Sequence, residues 1–69
     1  MNLKKMEIYF TRTKDKKEID FRGRLEELLK KEGINPATII IVRENTVLTL
    51  DSKLSNNDRL IVLPVISGG

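Results

Sequence analysis

The last eight residues, Val62 to Gly69, read VLPVISGG and carry no charged side chain, in a chain of which 33% is Asp, Glu, Lys or Arg. Chain ends are usually frayed and polar, so an apolar end closing on two glycines asks for a reason. Reactive side chains do not supply one. There is no cysteine and no histidine, which excludes thiol nucleophiles, disulfides, Cys/His zinc sites and imidazole acid–base chemistry within the chain. The only charge at this end is the terminal carboxylate of Gly69 itself. No metal site and no bound cofactor are expected.

The remaining composition sets limits. At 69 residues there is room for one domain, and a domain this small buries only about 60% of the surface its unfolded chain exposes. Deep enclosed active sites are hard to build on so thin a core, which favours a binding module, carrier or modifier over an enzyme. Without cysteines or a secretory apolar stretch, the expected location is the cytoplasm. No apolar run approaches the ~18 residues of a membrane span; the longest, Ile39 to Val42 and Leu60 to Ile66, are strand-sized. The net charge is +3, with Lys4, Lys5, Lys14, Lys16 and Lys17 falling early. Glu7, Asp15 and Glu18 are interspersed and no aromatic residues interleave, so a solvated surface is favoured over contact with phosphates or an acidic partner, and nucleic acid is not an expected partner.

The elements that must position the tail follow from periodicity. Met6 to Thr11 alternates, with Met6, Ile8 and Phe10 on one side, which predicts a half-buried strand. Thr13 to Lys17 reads as a polar turn and Lys17 to Phe21 as a second strand with Ile19 and Phe21 inward, making a hairpin. From about Arg22 the period becomes helical: Phe21, Leu25, Leu28 and Leu29 share a face, and Glu26–Lys30 and Glu27–Lys31 are favourably oriented i,i+4 pairs. Gly33 and Pro36 end this helix of roughly three turns. Thr38 to Arg43 is a β-branched strand, Glu44-Asn45 a turn, and Thr46 to Leu48 a short strand. Leu54 to Arg59 is a turn cluster in which Asn56 or Asn57 could take the left-handed conformation, and Leu60 to Val65 is the last strand. One helix must then cover one face of a mixed sheet of four to five strands, an α+β two-layer fold.

That order, together with LEELLKKEGI (Leu25 to Ile34), the IVREN-TV hairpin, LSNNDRLIVLPV (Leu54 to Val65) and the closing Gly68-Gly69, resembles the ubiquitin-like β-grasp carriers, most closely the ThiS/MoaD sulfur-carrier family. The resemblance covers nearly the whole chain from Met6. Two positions depart from the family's habit: Asn45-Thr46 stands where Asn-Gly is common, and Asn57-Asp58 where Gly-Asp is common. The resemblance implies a β-grasp domain over residues 1–63 and a flexible tail over residues 64–69. It also implies that the Gly69 carboxylate is adenylated by an ATP-dependent partner of the ubiquitin-activating type. A sulfur donor such as a cysteine desulfurase then supplies the sulfur of a C-terminal thiocarboxylate. An acceptor synthase uses it for the thiazole of thiamine, for molybdopterin or for a tRNA base.

Physical chemistry accounts for the residue types. A carboxylate is a poor electrophile until it carries a good leaving group. Gly68 and Gly69 let the tail lie extended in a narrow channel with the carbonyl open to attack. Pro64 stiffens the exit from the last strand, lowering the entropy lost on threading, or simply terminates it. Val65 and Ile66 offer apolar contact, and Ser67 joins them to the glycines. If Leu60 and Val62 face the helix, Ile61 and Leu63 face the other way, near Tyr9. In the family that open sheet face docks on the activating enzyme, and an apolar face without a helix over it wants a partner. Two other readings remain: a modifier conjugated to lysines through Gly69, and a non-conjugating β-grasp module binding nucleic acid through its basic surface.

Overall fold

The computed structural model describes residues 4–65. Strands β1 (Met6–Phe10), β2 (Asp15–Ile19), β4 (Ile39–Arg43), β5 (Thr46–Val47) and β7 (Arg59–Pro64) form one sheet in the order β2-β1-β7-β4-β5. A two-residue ladder joins β3 (Gly23–Arg24) to β6 (Lys53–Leu54), and the helix α1 spans Leu25–Glu32. β7 lies between β1 and β4, parallel to the first and antiparallel to the second. This is the mixed five-stranded α+β architecture, one helix on one sheet face, that a β-grasp requires.

Alternation puts the core on one side. Met6 and Ile8 of β1, Ile41 of β4, and Leu60 and Val62 of β7 are buried against Leu25, Leu28 and Leu29 of α1, with Leu54 closing one end. Ile8 sits beside Leu60 and Ile41 opposite Val62, so the register stacks these rows under the helix. Burial of such side chains stabilises by about 1.5–3 kcal/mol each, and in a chain this short nearly every one of them is needed.

The helix is shorter than the sequence spacing predicts, running eight residues and starting at Leu25, not near Arg22. Two features hold the preceding residues extended. Gly23 adopts φ +154°, which side-chain-bearing residues avoid, and pairs with Leu54 across the β3–β6 ladder. The first helical N–H groups are then taken by loop carbonyls: Leu25 N–H donates to Ser52 O at 2.9 Å and Glu26 N–H to Leu50 O at 3.1 Å. Neither the ladder nor these bonds has a local sequence signature. The expected i,i+4 ion pairs are not among those formed by the described residues. Glu27 turns back to accept the Arg24 N–H at 3.4 Å, and Lys31 lies over the Phe21 ring, 5.8 Å from its centre. The C-terminus ends as expected. Gly33 is left-handed at φ 69°, its N–H donates to Lys30 O, and the Ile34 N–H donates to Leu29 O, the paired bonds of a Schellman motif.

Two turns differ from expectation in detail, and the one between them is as expected. The first hairpin turns at Thr11 to Lys14, earlier than Thr13 to Lys17, with Lys14 left-handed at φ 59°. Its second strand stops at Ile19, because the Phe21 N–H is drawn to the Asn56 side chain at 2.8 Å. In the second hairpin Glu44 and Asn45 both have positive φ, 51° and 63°, so the left-handed pair is Glu44-Asn45 and Thr46 already belongs to β5. Asn56 and Asn57 are not left-handed; Asn56 spends its amide on the Phe21 N–H and on Asp20, at 2.6 Å.

Candidate functional site

The tail leaves the fold from the end of a central strand, and the structure ties that exit on two sides. β7 continues through Pro64, which stands opposite Ile39, and the Val65 N–H still donates to Thr38 O at 3.0 Å. The sheet therefore holds the chain up to Val65, beyond the expected junction between residues 63 and 64. Pro64 has no N–H to offer and is exposed, as is Val65. On the β1 side, Thr11 donates to Val62 O through both its N–H (3.1 Å) and its Oγ1 (2.9 Å). On the β4 side, Thr38 is fixed by a short 3-10 turn, Pro36–Thr38. Asn35 caps that turn by accepting the Ala37 N–H at 3.0 Å, and Thr38 Oγ1 donates back to Asn35 O at 2.7 Å. Ile66, Ser67, Gly68 and Gly69 lie outside the described residues.

The open face of the sheet leads to this exit. Tyr9 and Ile61 are register neighbours on β1 and β7, 39% and 42% exposed, and Leu63, half-buried, is opposite Ile40. The three residues singled out from the sequence thus share one surface. It is wider than expected. Ile40 and Val42 of β4 and Val47 of β5 extend it, since Val42 pairs with Ile61 on one side and Val47 on the other. The signal was present in the run Ile39 to Val42: in a strand only alternate residues can face the helix, so an unbroken apolar run must leave half of itself on the other face. At one border Glu7 is shared by Lys16, at 3.4 Å, and Arg59, at 3.5 Å. A single carboxylate thus lies between two cations where the apolar patch meets its polar border.

The domain itself offers little chemistry. Among the described residues no cluster of three or more Asp or Glu could hold a metal ion, and no buried side-chain nitrogen or oxygen lacks a hydrogen-bond partner. No helix there is long and apolar enough to cross a membrane. What the arrangement can do is present an apolar face and, from its end, a tethered strand of chain.

Comparison with known proteins agrees with this geometry. The ThiS family model matches residues 7–69. The sulfur carrier protein TtuB of Thermus thermophilus is 40% identical over 60 residues, covering 84% of this chain and 92% of that protein. An uncharacterised protein of Archaeoglobus fulgidus is 36% identical over 53 residues, 75% of this chain and 78% of its own length.

Proposed function

The chain belongs to the ThiS family, and from that premise we propose that it is a sulfur carrier protein, a co-substrate with no catalytic side chain of its own. An ATP-dependent activating enzyme would join the Gly69 carboxylate to AMP, releasing pyrophosphate. Hydrosulfide would then attack the acyl carbon, forming the carbon–sulfur bond as AMP leaves and giving a C-terminal thiocarboxylate. The observation that carries this reading is the continuity between surface and tail. Ile61 and Leu63, on the open apolar face, lie on the strand that runs on through Pro64 to Val65. A partner seated on that face receives the tail from a fixed direction, because Thr11 and Thr38 pin its root. Presenting a reactive end from a fixed direction lowers the entropy cost of reaction. Thiazole, molybdopterin and tRNA acceptors share this first half, so its test does not depend on the acceptor.

The test is the intact mass of the protein after incubation with ATP, sulfide and the activating enzyme of its own host. One oxygen should be exchanged for sulfur on the C-terminal peptide and be trapped by a thiol-reactive alkylator. Locating the shift matters, because oxidation of Met1 or Met6 adds nearly the same mass. An unmodified terminus under these conditions would sink the proposal, and lysine-linked conjugates through Gly69 would replace it with the modifier reading.

A further inference from the structure

Two like charges stand directly opposite each other in the β3–β6 ladder, where Arg24 is the register partner of Lys53. That arrangement destabilises a strand pair, and here the buried Leu54 and the bonds from the helix start hold it together. Arg22, two residues before Arg24, adds a third cation. The three rim a groove of about 450 Å³ that also contains Gly23, Glu27 and Ser55. Glu27 brings one carboxylate into the groove against the three cations, while Asp20 and Asp58 are turned to other partners. Glu27 accepts the Arg24 N–H, Asp20 takes the Asn56 amide, and Asp58 is bound by Arg43 and the Ser55 N–H. Across the Ser55 to Asp58 turn, Lys4, Lys5 and Arg59 border a second groove together with Glu7, Glu18 and Asp58, so its charges balance and it adds nothing to the basic site. None of Lys4, Lys5, Arg22, Arg24 and Lys53 is in an ion pair formed among the described residues.

We propose that the Arg22, Arg24 and Lys53 groove binds the phosphate backbone of a duplex nucleic acid. A phosphate between Arg24 and Lys53 would turn their mutual repulsion into two charge-assisted hydrogen bonds, with guanidinium forks suited to its oxygens. The groove lacks what a protein partner would use: it presents no exposed aromatic or aliphatic anchor of the kind that carries protein interfaces. Phosphate binding needs none, since it positions a nucleic acid by charge and backbone alone. The scarcity of aromatics still argues against stacking on single-stranded bases, leaving a duplex as the occupant. The groove sits beyond the first residue of β7 and the tail leaves beyond its last. Six residues of strand, about 20 Å, separate them. A duplex held there leaves the tail free to enter an enzyme. This inference stands apart from the sulfur-carrier proposal, and either can fail without the other.

The test follows backbone amide shifts of the full chain titrated with an RNA hairpin, with a DNA hairpin of the same sequence, and with polyglutamate at equal ionic strength. Shifts should concentrate at residues 22–24 and 53–55, and preference between the hairpins identifies the nucleic acid. The R22Q/R24Q/K53Q variant should fold at least as stably, since it removes like-charge repulsion. Its salt dependence of binding should fall by about one logarithmic unit of slope for each phosphate that the variant no longer neutralises. A K14Q/K16Q/K30Q variant, with the same net charge, should keep the wild-type slope. The proposal is overturned by absent binding, by shifts centred elsewhere, by equal loss in both variants, or by polyglutamate binding the groove as tightly as either hairpin.

Discussion

Arg43, the last residue of β4, and Asp58, the residue before β7, meet at 3.0 Å, and each of the two atoms involved serves twice. Arg43 Nη1 also donates to Lys53 O at 2.9 Å, and Asp58 Oδ2 also accepts the Ser55 N–H at 2.9 Å. One pair of side chains thereby fastens β6, the following turn and the start of β7. Both are partly exposed, 30% and 17%, so solvent weakens the charge attraction and the hydrogen bonds carry most of the effect. Asp58→Ala is expected to lower stability by about 1–2 kcal/mol, and Asp58→Asn by less, because an amide oxygen can still accept from Ser55. Urea unfolding of the two variants checks the order; equal losses would mean the Ser55 bond contributes nothing.

The two glycines among the described residues should separate strain from crowding. A Cβ on Gly33 meets nothing within 4 Å, so Gly33→Ala suffers only its left-handed backbone, a cost of about 1 kcal/mol. A Cβ on Gly23 would stand 3.1 Å from Phe21 Cζ as well as facing φ +154°, and Gly23→Ala is expected to cost about 2–3 kcal/mol. Thermal unfolding should rank Gly23→Ala as the worse. The reverse ranking would show that Phe21 moves aside freely.

The Glu44-Asn45 turn invites improvement. Both residues have positive φ and connect the paired residues Arg43 and Thr46, the geometry for which Asn-Gly is preferred. Glu44→Asn with Asn45→Gly keeps the loop length and relieves a side chain that tolerates this region poorly. A gain of about 0.5–1 kcal/mol is expected, read as a raised urea midpoint with an unchanged slope. An unchanged midpoint would mean that the wild-type pair bears no strain.

The main sheet was legible because alternation and turn chemistry are local: Met6 and Ile8, Leu60 and Val62 announce their inward faces two residues at a time. The helix end was legible for the same reason, since Gly33 is both composition and conformation. Its beginning was not. Leu25 starts the helix because Ser52 and Leu50, far along the chain, offer carbonyls to its first N–H groups, and no pattern around Arg22 encodes that. Asn56 likewise looked like a turn former but acts through its side chain on Asp20 and Phe21. On the candidate site, Tyr9, Ile61 and Leu63 came from strand parity alone. Ile40 and Val42 were signalled by the unbroken apolar run Ile39 to Val42, whereas Val47 needed the pairing of β5 with β4, which is tertiary information. The significance of Gly68-Gly69 came from resemblance, since two glycines have no periodicity to read.

Ile61 lies at the middle of the open face, beside Tyr9 on β1 and Val42 on β4. It is 42% exposed and absent from the core, so a charge there should leave the fold standing while desolvating badly under a partner. Ile61→Glu is expected to raise the KM of the activating enzyme for the carrier by about tenfold to a hundredfold, the cost of a central apolar anchor. With the tail untouched, kcat at saturating carrier should change little, since Ile61 would touch the enzyme equally before and during the chemistry. Lys30→Glu, on the exposed side of α1, serves as the control and should leave both constants near wild type. If Ile61→Glu matched that control, the partner would have to approach from another side. Pro64 and Val65 would then be the surviving points of contact, because they alone among the described residues continue toward the glycines.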